Sequence, residues 1–415
     1  MTHVRPSLRT GESTSGRLSP FSFDENGTVP FEGTTVVSSP ILTLCLLLFV
    51  VTAPAHAVDQ VTLRRDGKTL EVEGQLLVTA QDGGLLLLAR DGVLWAIPPE
   101  EQVRHTRDDR PFEPLRRDAM TRKILAELPP GFRVHATTHY LIFFNTSSAY
   151  ARWCGSLFER LYMAFTNLWI RKGFDLHKPE FPLVAVVFAD RPSYLKFARP
   201  ELGEAGESIP GYFGLTSNRM TMYDLTGFES HGRNGGRIGT SAQINKILKQ
   251  PNALRTVSTI VHEATHQIAF NCGLHTRLSD CPRWFSEGIA VYFETPDLGS
   301  TRGWRGIGAV NPTRLARFQQ YRASRPANSL ETLLADDARF TDPKRSLDAY
   351  AEAWALTYFL INKHPKAYVA YLDMLSKKKP LLMDSPEKRI DAFRQAFGDL
   401  KELDTAFLRY MAKLR

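Results

Sequence analysis

The sequence has little that would mark a nucleic-acid-binding protein. Its 415 residues carry a net charge of +8, and the basic side chains are scattered. Lys377, Lys378 and Lys379 form the one tight basic cluster, which indicates a solvated helix end rather than a nucleic-acid patch. We therefore expect no nucleic-acid partner, whereas weak adhesion to an anionic cell wall or membrane surface stays open.

The N-terminal part lacks an apolar run long enough to cross a bilayer with ease. The run Ile41–Thr52 is too short for that, and it is followed by Ala53-Pro54-Ala55-His56-Ala57, an A-x-A cleavage pattern. We expect a signal peptide cut after Ala57 and a secreted or periplasmic protein. The preceding residues are either a disordered extension or lie upstream of the true start, and an uncleaved anchor is the alternative.

Cysteine is scarce, with four residues in the chain. Cys272 and Cys281 flank a short loop between two predicted helices, so in an oxidising compartment we expect a disulfide between them. Two separate buried thiols are the alternative. Cys154 lies on an apolar helical pattern, which predicts a core position. The isolated histidines are expected to be solvent-exposed loop residues: His135, His139, His231 and His275.

The stretch Val261–Gln267 reads V-H-E-A-T-H-Q, an H-E-x-x-H motif. Its apolar flanks predict one buried helix over residues 252–271. On a helix, His262 and His266 lie one turn apart on one face and can chelate one Zn²⁺. Glu263 is rotated by one residue, so it can stand beside the metal and act as general base toward water. Two surface histidines on an amphipathic helix are the alternative.

A carboxylate follows on a second apolar helix, in the segment Pro282–Ala290. Glu287 would complete a His₂Glu zinc site and leave the fourth position to water. The alternative is an acidic residue favoured by the positive end of the helix dipole. With H-E-x-x-H upstream, the sequence favours the ligand.

H-E-x-x-H followed by W-x-x-E-G-x-A at Trp284–Ala290 resembles the gluzincin zinc peptidases, which include thermolysin-like and aminopeptidase-N-like enzymes. It is also similar to secreted bacterial proteins described as peptidase MA-like. The resemblance is specific over Thr256–Glu294 and weaker from about Gly131 to Leu375. It implies a zincin-like domain whose edge strand, just before the metal helix, pairs with an extended peptide or protein substrate.

Our candidate for that substrate-binding edge strand consists of five consecutive residues, Arg219, Met220, Thr221, Met222 and Tyr223. An ordinary sheet strand is the alternative. The resemblance further implies a tyrosine that stabilises the tetrahedral intermediate, and Tyr350 stands at the matching position. The motif departs from the usual Y-x-K-G at Glu352 and Ala353, and a core tyrosine is the alternative.

Two features of the resembling families are absent. Thermolysin-like enzymes carry an Asp four residues after the ligand Glu, where this chain has Val291, so the residue that supports the ligands is unidentified. Aminopeptidases carry a G-x-M-E-N segment that holds the substrate's free amino group, and the sequence has none. Its absence favours an endopeptidase over an aminopeptidase.

The patterns together predict an α+β protein with a small antiparallel β module, a zincin-like metallopeptidase domain and a mainly helical C-terminal part. Three Asp-Gly turns between short apolar strands indicate the β module. The glycine-rich stretch Gly227–Gly239 predicts a lid loop. The expected divisions are an N-terminal extension with signal peptide (1–57), the β module (58–110), a linker (111–130), the catalytic domain (131–300) and the helical subdomain (301–415).

The sequence therefore predicts a secreted metallopeptidase that uses Zn²⁺, with His262, His266 and Glu287 as ligands and Glu263 as general base. Two alternatives stay open. One is a non-catalytic envelope protein that uses the same fold for binding or scaffolding. The other is a zinc amidase that acts on cell-wall peptide.

Overall fold

A computed structural model describes residues 57–203, 207, 209–226, 240–295, 298, 304 and 306–414. The predicted signal peptide up to His56 and the predicted lid loop Gly227–Gly239, which contains His231, lie outside these residues. Among the described residues, no helix is both long and apolar enough to span a membrane. The fold is α+β, with an antiparallel sheet first and a mostly helical C-terminal part.

The chain divides into two compact units. The first consists of the described residues up to Leu88 together with Trp95–Phe112, and the second of Ala89–Leu94 and Glu113–Arg415. The catalytic domain and the helical subdomain that we expected on either side of residue 300 therefore lie in one unit. A helix, Arg117–Glu127, occupies most of the stretch that the sequence suggested as linker.

The first sheet has five strands in the order β4-β3-β2-β1-β5. Asp66 and Gly67 both have positive φ angles, 51° and 72°, as a two-residue type I′ hairpin turn requires. This turn joins the first two strands, as the Asp-Gly pattern predicted, and sets Arg65 opposite Lys68. The strands are β1 Ala57–Arg65, β2 Lys68–Thr79, β3 Leu85–Ala89, β4 Leu94–Ile97 and β5 Gln102–Pro111.

The second sheet also has five strands, in the order β6-β7-β8-β10-β9. Its three central strands are parallel, and an antiparallel strand closes each edge. Every residue of the middle strand is buried, as expected for a parallel strand covered on both faces. The strands are β6 Arg133–Ala136, β7 Tyr140–Phe144, β8 Leu183–Phe188, β9 Gly211–Gly214 and β10 Arg219–Tyr223.

The predicted substrate-binding edge strand is wrong. Its five residues, Arg219, Met220, Thr221, Met222 and Tyr223, form β10, which pairs with β8 on one side and with β9 on the other. The edge strand on this side of the sheet is β9. A strand pattern in the sequence shows which residues are extended but carries no information on which neighbours pair with them.

Helices make up most of the second unit. Three of them, α1 Arg117–Glu127, α2 Ser148–Arg171 and α3 Arg191–Leu202, contact strands of the second sheet, and α4 Ser241–Leu248 packs against α2. The predicted metal helix is α5 Pro251–Asn271, which contacts α2, β8, β9 and β10. The remaining helices are α6 Arg283–Phe293, α7 Pro312–Arg322, α8 Ser329–Ala335, α9 Ala338–Thr341, α10 Ser346–Lys363, α11 Pro365–Ser376, α12 Pro386–Phe397 and α13 Leu400–Met411.

The helix α10 lies at the centre of the C-terminal part, where it packs against α6, α7, α9, α11 and α13. Gly288 permits a close approach of α6 to α10, because a Cβ atom at this position would lie 2.8 Å from the Ala353 carbonyl oxygen. Gly288 follows Glu287 directly. The same contact therefore brings the middle of α10, at Ala353, close to the predicted ligand.

A buried carboxylate anchors α10 to its neighbours. Glu352 has no exposed surface and pairs with Arg325 at 2.6 Å and with Arg339 at 2.7 Å. The hydroxyl of Ser329 donates to the same carboxylate at 2.8 Å. A buried charge is tolerated only when it is paired in this way. Glu352, one of the two residues that depart from the Y-x-K-G pattern, therefore has a structural role in this chain.

Candidate metal centre

The helix α5 presents His262 and His266 on one face, as the four-residue spacing predicted. Their Nε2 atoms are 3.1 Å apart, and their rings meet edge to face with centroids 4.7 Å apart. His262 is buried and His266 is half-buried. Both rings thus direct the same nitrogen atom to one point beside the helix.

Glu287, five residues into α6, completes the group. Its Oε2 atom lies 3.0 Å from Nε2 of His262 and 3.5 Å from Nε2 of His266. A tetrahedral zinc ion with ligand bonds of about 2.0–2.1 Å holds its ligand atoms about 3.4 Å apart. In the part of the chain that the structure describes, these three residues are the one cluster of three or more His, Cys, Asp or Glu whose donor atoms could hold a metal ion.

The electrostatics of the group are those of a buried ion cluster. Burial would lower the pKa of His262, but the carboxylates of Glu287 and Glu294 raise it to about 10. Burial would likewise raise the pKa of Glu287, yet His266 and His262 hold it well below its ordinary value. Glu287 is therefore ionised at neutral pH, as a metal ligand must be.

Glu294 supports the ligand His262 and was missed by the sequence reasoning. Its Oε1 atom lies 2.8 Å from Nδ1 of His262, while Arg314 donates to both of its carboxylate oxygens at 3.1 Å. Because Nδ1–H donates to Glu294, the neutral form of the ring carries its lone pair on Nε2, which faces the cluster.

The sequence did contain a signal for Glu294. The resemblance to thermolysin-like enzymes points to the fourth residue after Glu287, which is Val291, and that side chain is fully buried in the core. Glu294 is the seventh residue after Glu287, two helical turns on, and a seven-residue spacing returns to the same face of a helix.

Glu263 lies beside the cluster and not on it. Its Oε2 atom accepts a hydrogen bond from the backbone N–H of Phe213 on the edge strand β9, at 2.9 Å. Burial raises its pKa above the ordinary value, and His262 and His266 oppose that rise. A carboxylate with a raised pKa, held next to a possible water position, is suited to accept a proton.

Tyr350 lies close to the cluster, in the second turn of α10. Its ring centroid is 6.5 Å from that of His262, and the guanidinium carbon of Arg314 lies 5.6 Å above its ring. Phe340 packs edge to face against the same ring at 5.3 Å. Burial, followed by the Glu287 carboxylate, raises the pKa of the Tyr350 phenol, which keeps it protonated as a hydrogen-bond donor.

The predicted disulfide is absent from the structure, because Cys272 and Cys281 are both free thiols. Each sulfur atom faces a different neighbour. Cys272 follows the last residue of α5 and interacts with Tyr162, whereas the Cys281 sulfur lies 3.6 Å from Nδ1 of His275. A sequence spacing cannot show these orientations. The prediction that Cys154 is a core residue is confirmed, since its side chain is fully buried.

Three of the histidines that we expected in exposed loops are partly or wholly buried, and one of them, His135, lies in strand β6. His275 is 3% exposed and lies between the rings of Phe270 and Phe285. Burial, together with His266, lowers its pKa to about 3. His139 is half-buried, and its Nδ1 atom lies 2.7 Å from the Glu159 carboxylate.

An ion cluster fastens the loop between α5 and α6 in place of the disulfide. Asp280 is fully buried and accepts from Nε of Arg389 at 3.1 Å and from Nζ of Lys378 at 2.9 Å. The two cations also pair with Asp337 and Asp384. Since Arg389 belongs to α12 and Lys378 follows α11, the loop between the two ligand-bearing helices is tied to the C-terminal helices.

One family model matches residues 256–382, and its description reads "Protein of unknown function (DUF1570)". The matched residues include His262, His266, Glu287, Glu294 and Tyr350. They make up less than a third of the chain, so the match is a local similarity. No curated protein matches the chain.

The buried position of Asp280 leads to a stability prediction. We expect Asp280→Asn to lower the free energy of unfolding at pH 7 by about 3 kcal/mol, because the buried Arg389 and the partly buried Lys378 lose the anion that they share. Burial would raise the pKa of Asp280, but Arg389 and Lys378 hold it below its ordinary value of 3.8. The contribution is thus complete above the unfolded-state pKa and is lost as the pH falls through the folded-state pKa.

Urea unfolding of both proteins at pH 7 and at pH 3 measures this difference. Asp373→Asn is the matched control, because Asp373 pairs with Lys377 on the surface and should change stability by less than about 0.5 kcal/mol. Equal stability of wild type and Asp280→Asn at pH 7 would contradict the assignment.

Proposed function

We propose that this protein is a secreted zinc metallopeptidase of the gluzincin type that cleaves extended peptides internally. The observation that carries the proposal is the spacing of 3.0, 3.1 and 3.5 Å among the donor atoms of His262, His266 and Glu287. With Glu263 beside them, these residues reproduce the arrangement that H-E-x-x-H and the downstream Glu predict.

The donor set fits zinc. Two imidazole nitrogens and one carboxylate oxygen are common ligands of catalytic zinc, which keeps a fourth position for water. Nδ1 of His262 is already satisfied by Glu294, so only its Nε2 atom is available for a metal. When bound, zinc would lower the pKa of a water molecule and polarise the carbonyl of the scissile bond.

The residues of the chain supply the remaining chemistry. Glu263 takes the proton of the attacking water and passes it to the leaving amine, a role that its raised pKa supports. Tyr350 donates a hydrogen bond to the oxyanion as the carbonyl carbon becomes tetrahedral. Glu294 and Arg314 keep His262 oriented while the charge distribution changes.

The edge strand β9 offers backbone groups to an extended substrate. A peptide that adds to an exposed edge is held through main-chain hydrogen bonds, with little dependence on its sequence. The N–H of Phe213 on this strand reaches the Glu263 carboxylate, so a peptide on β9 would pass next to the general base. This placement, and the absence of a G-x-M-E-N segment, favour internal cleavage over removal of N-terminal residues.

Zinc binding is the first expectation. Elemental analysis of the purified mature protein should give close to one zinc per chain, and His262→Ala should lose it. Glu294→Gln should retain zinc at saturation but bind it about 10–100-fold more weakly, because the partner of the ligand's Nδ1–H becomes neutral. His364→Ala, a change at the end of α10, is the control. Normal zinc content in His262→Ala would refute the site.

Glu263 can be tested separately from metal binding. Glu263→Gln keeps the size of the side chain and its acceptor for Phe213 N–H but removes the base. We expect zinc to remain and turnover of an internally quenched peptide library to fall by about 10² or more. Full activity in this variant would exclude the proposed role of Glu263.

Tyr350 can be tested by removing one hydroxyl. We expect Tyr350→Phe to lower kcat by about 10²-fold with little change in KM, because the bond forms mainly in the transition state. Zinc content and melting temperature should stay near the wild-type values. Tyr358→Phe, on the same helix and packed on Trp354, is the matched control. An unchanged kcat in Tyr350→Phe would assign the oxyanion donor to another residue.

A further inference from the structure

The helix α5 carries a second polar row beside the two histidines. Glu263, Gln267 and Asn271 are spaced by four residues, so they share one face, rotated by one residue from that of His262 and His266. Gln267 is fully buried and Asn271 is 7% exposed. Buried amides on a helix need specific partners, and each of the three side chains has one on the second sheet, although Oε1 of Gln267 has none among the described residues.

The first partner is the turn between β9 and β10. Asn218, 5% exposed, and Asn271 form a reciprocal amide pair in which each side chain donates to the other, at 2.9 and 2.7 Å. Asn218 has a φ angle of 58°, a left-handed conformation that Asn tolerates better than most residues. Its N–H also closes the turn on the Gly214 carbonyl at 2.8 Å.

The second partner is the backbone of the sheet. The Gln267 amide donates to the carbonyl of Val184 on β8 at 2.9 Å and to that of Asn218 at 3.3 Å. The side-chain amide of Asn271 donates to the backbone carbonyl of Gln267 at 2.8 Å. Because Glu263 accepts from Phe213 at the upstream end of the row, β9 is fastened to α5 both within the strand and at its turn.

We propose that Asn218, Gln267 and Asn271 form a clamp that fixes the edge strand β9 at one position beside the metal ligands and thereby sets the affinity for an extended peptide. This inference rests on the proposed function. The three residues act through β9 and are positioning residues, with no contact to the reacting atoms.

The clamp matters because substrate and metal are held by different elements. A peptide bound by strand pairing reaches the cluster on α5 and α6 only while β9 keeps its place on α5, so the clamp supports binding of the peptide. A network of buried amides whose members pair with one another is rigid, whereas the loss of one member leaves unsatisfied groups in the interior. Loosening β9 weakens strand pairing equally in the ground state and in the transition state, and such a loss appears in KM.

Two substitutions test the clamp from its two sides. Asn271→Ala removes the helix side, and Asn218→Gly removes the turn side while keeping a left-handed backbone without strain. We expect each to raise the KM for an internally quenched peptide about 5–10-fold, the equivalent of one or two neutral hydrogen bonds, with kcat changed less than twofold and zinc content unchanged. The double variant should raise KM no more than the larger single effect, because both remove the same interaction.

Matched controls exist for both changes. Asn362 makes the same bond to the carbonyl four residues back, but on the exposed surface of α10, so Asn362→Ala should leave KM unchanged. Asp66 has a similar left-handed backbone, with φ 51°, in the β1–β2 turn, so Asp66→Gly controls for an added glycine.

Hydrogen exchange provides a readout that does not depend on activity. The backbone amides of Gly211–Gly214 should exchange faster in both variants than in the wild type, whereas those of β8 should not change. If wild-type protein cleaves no peptide, the proposed function fails while the exchange experiment still tests the clamp. Wild-type exchange at β9 in Asn218→Gly, or faster exchange with an unchanged KM, overturns the proposal. Should Asn271→Ala fail to fold, Asn218→Gly decides alone.

Discussion

The pairing of His262 between two carboxylates is the interaction on which the rest of the site depends. Three carboxylates, Glu263, Glu287 and Glu294, lie in or beside a largely buried cluster, and Arg314 offsets one of their charges. Two negative charges remain, and a low-dielectric interior does not tolerate them without compensation. A divalent cation would supply that compensation, and the proton on His262, whose pKa Glu287 and Glu294 raise to about 10 against the effect of burial, supplies part of it.

The requirement for this cluster explains the ion networks around it. The distance from Glu287 to the two histidines depends on the angle between α6 and α5. The loop that joins these helices is held by the ion pairs of Asp280 with Arg389 and Lys378. Tyr350 lies near the cluster only if α10 keeps its place, and Glu352 fixes that helix through Arg325 and Arg339. A buried ion pair is stable only at a specific distance and orientation, whereas an apolar contact permits helices to slide. Such pairs therefore fix the positions of helices whose side chains meet at the cluster.

Local patterns carried most of what the sequence predicted correctly. A four-residue spacing on α5 places His262 beside His266 wherever the helix packs, and the apolar flanks of the motif predicted this helix to within one residue of its observed bounds. The features that failed are non-local. The strand that pairs with β8 cannot lie at the edge, and this pairing is not visible in the sequence. The orientation of the Cys272 and Cys281 thiols depends on contacts with Tyr162 and His275. Glu294 could be predicted only in part. Its seven-residue spacing from Glu287 is visible in the sequence, but its contact with His262 depends on the angle between α5 and α6.

Both polar rows lie on α5, so one helix carries two of the candidate metal ligands and the contacts to the second sheet. His262 and His266 face the candidate ligand Glu287 on α6, while the row of Glu263, Gln267 and Asn271 faces the second sheet. Glu263 is the member of the second row that lies beside the cluster, so the proposed general base stands between the edge strand β9 and the candidate metal site. Because both rows belong to one rigid element, a displacement of α5 moves ligands, base and clamp together. The distances among these residues of α5 are therefore kept when the helix moves, whereas the distances to Glu287 on α6 and to Tyr350 on α10 depend on the packing between helices.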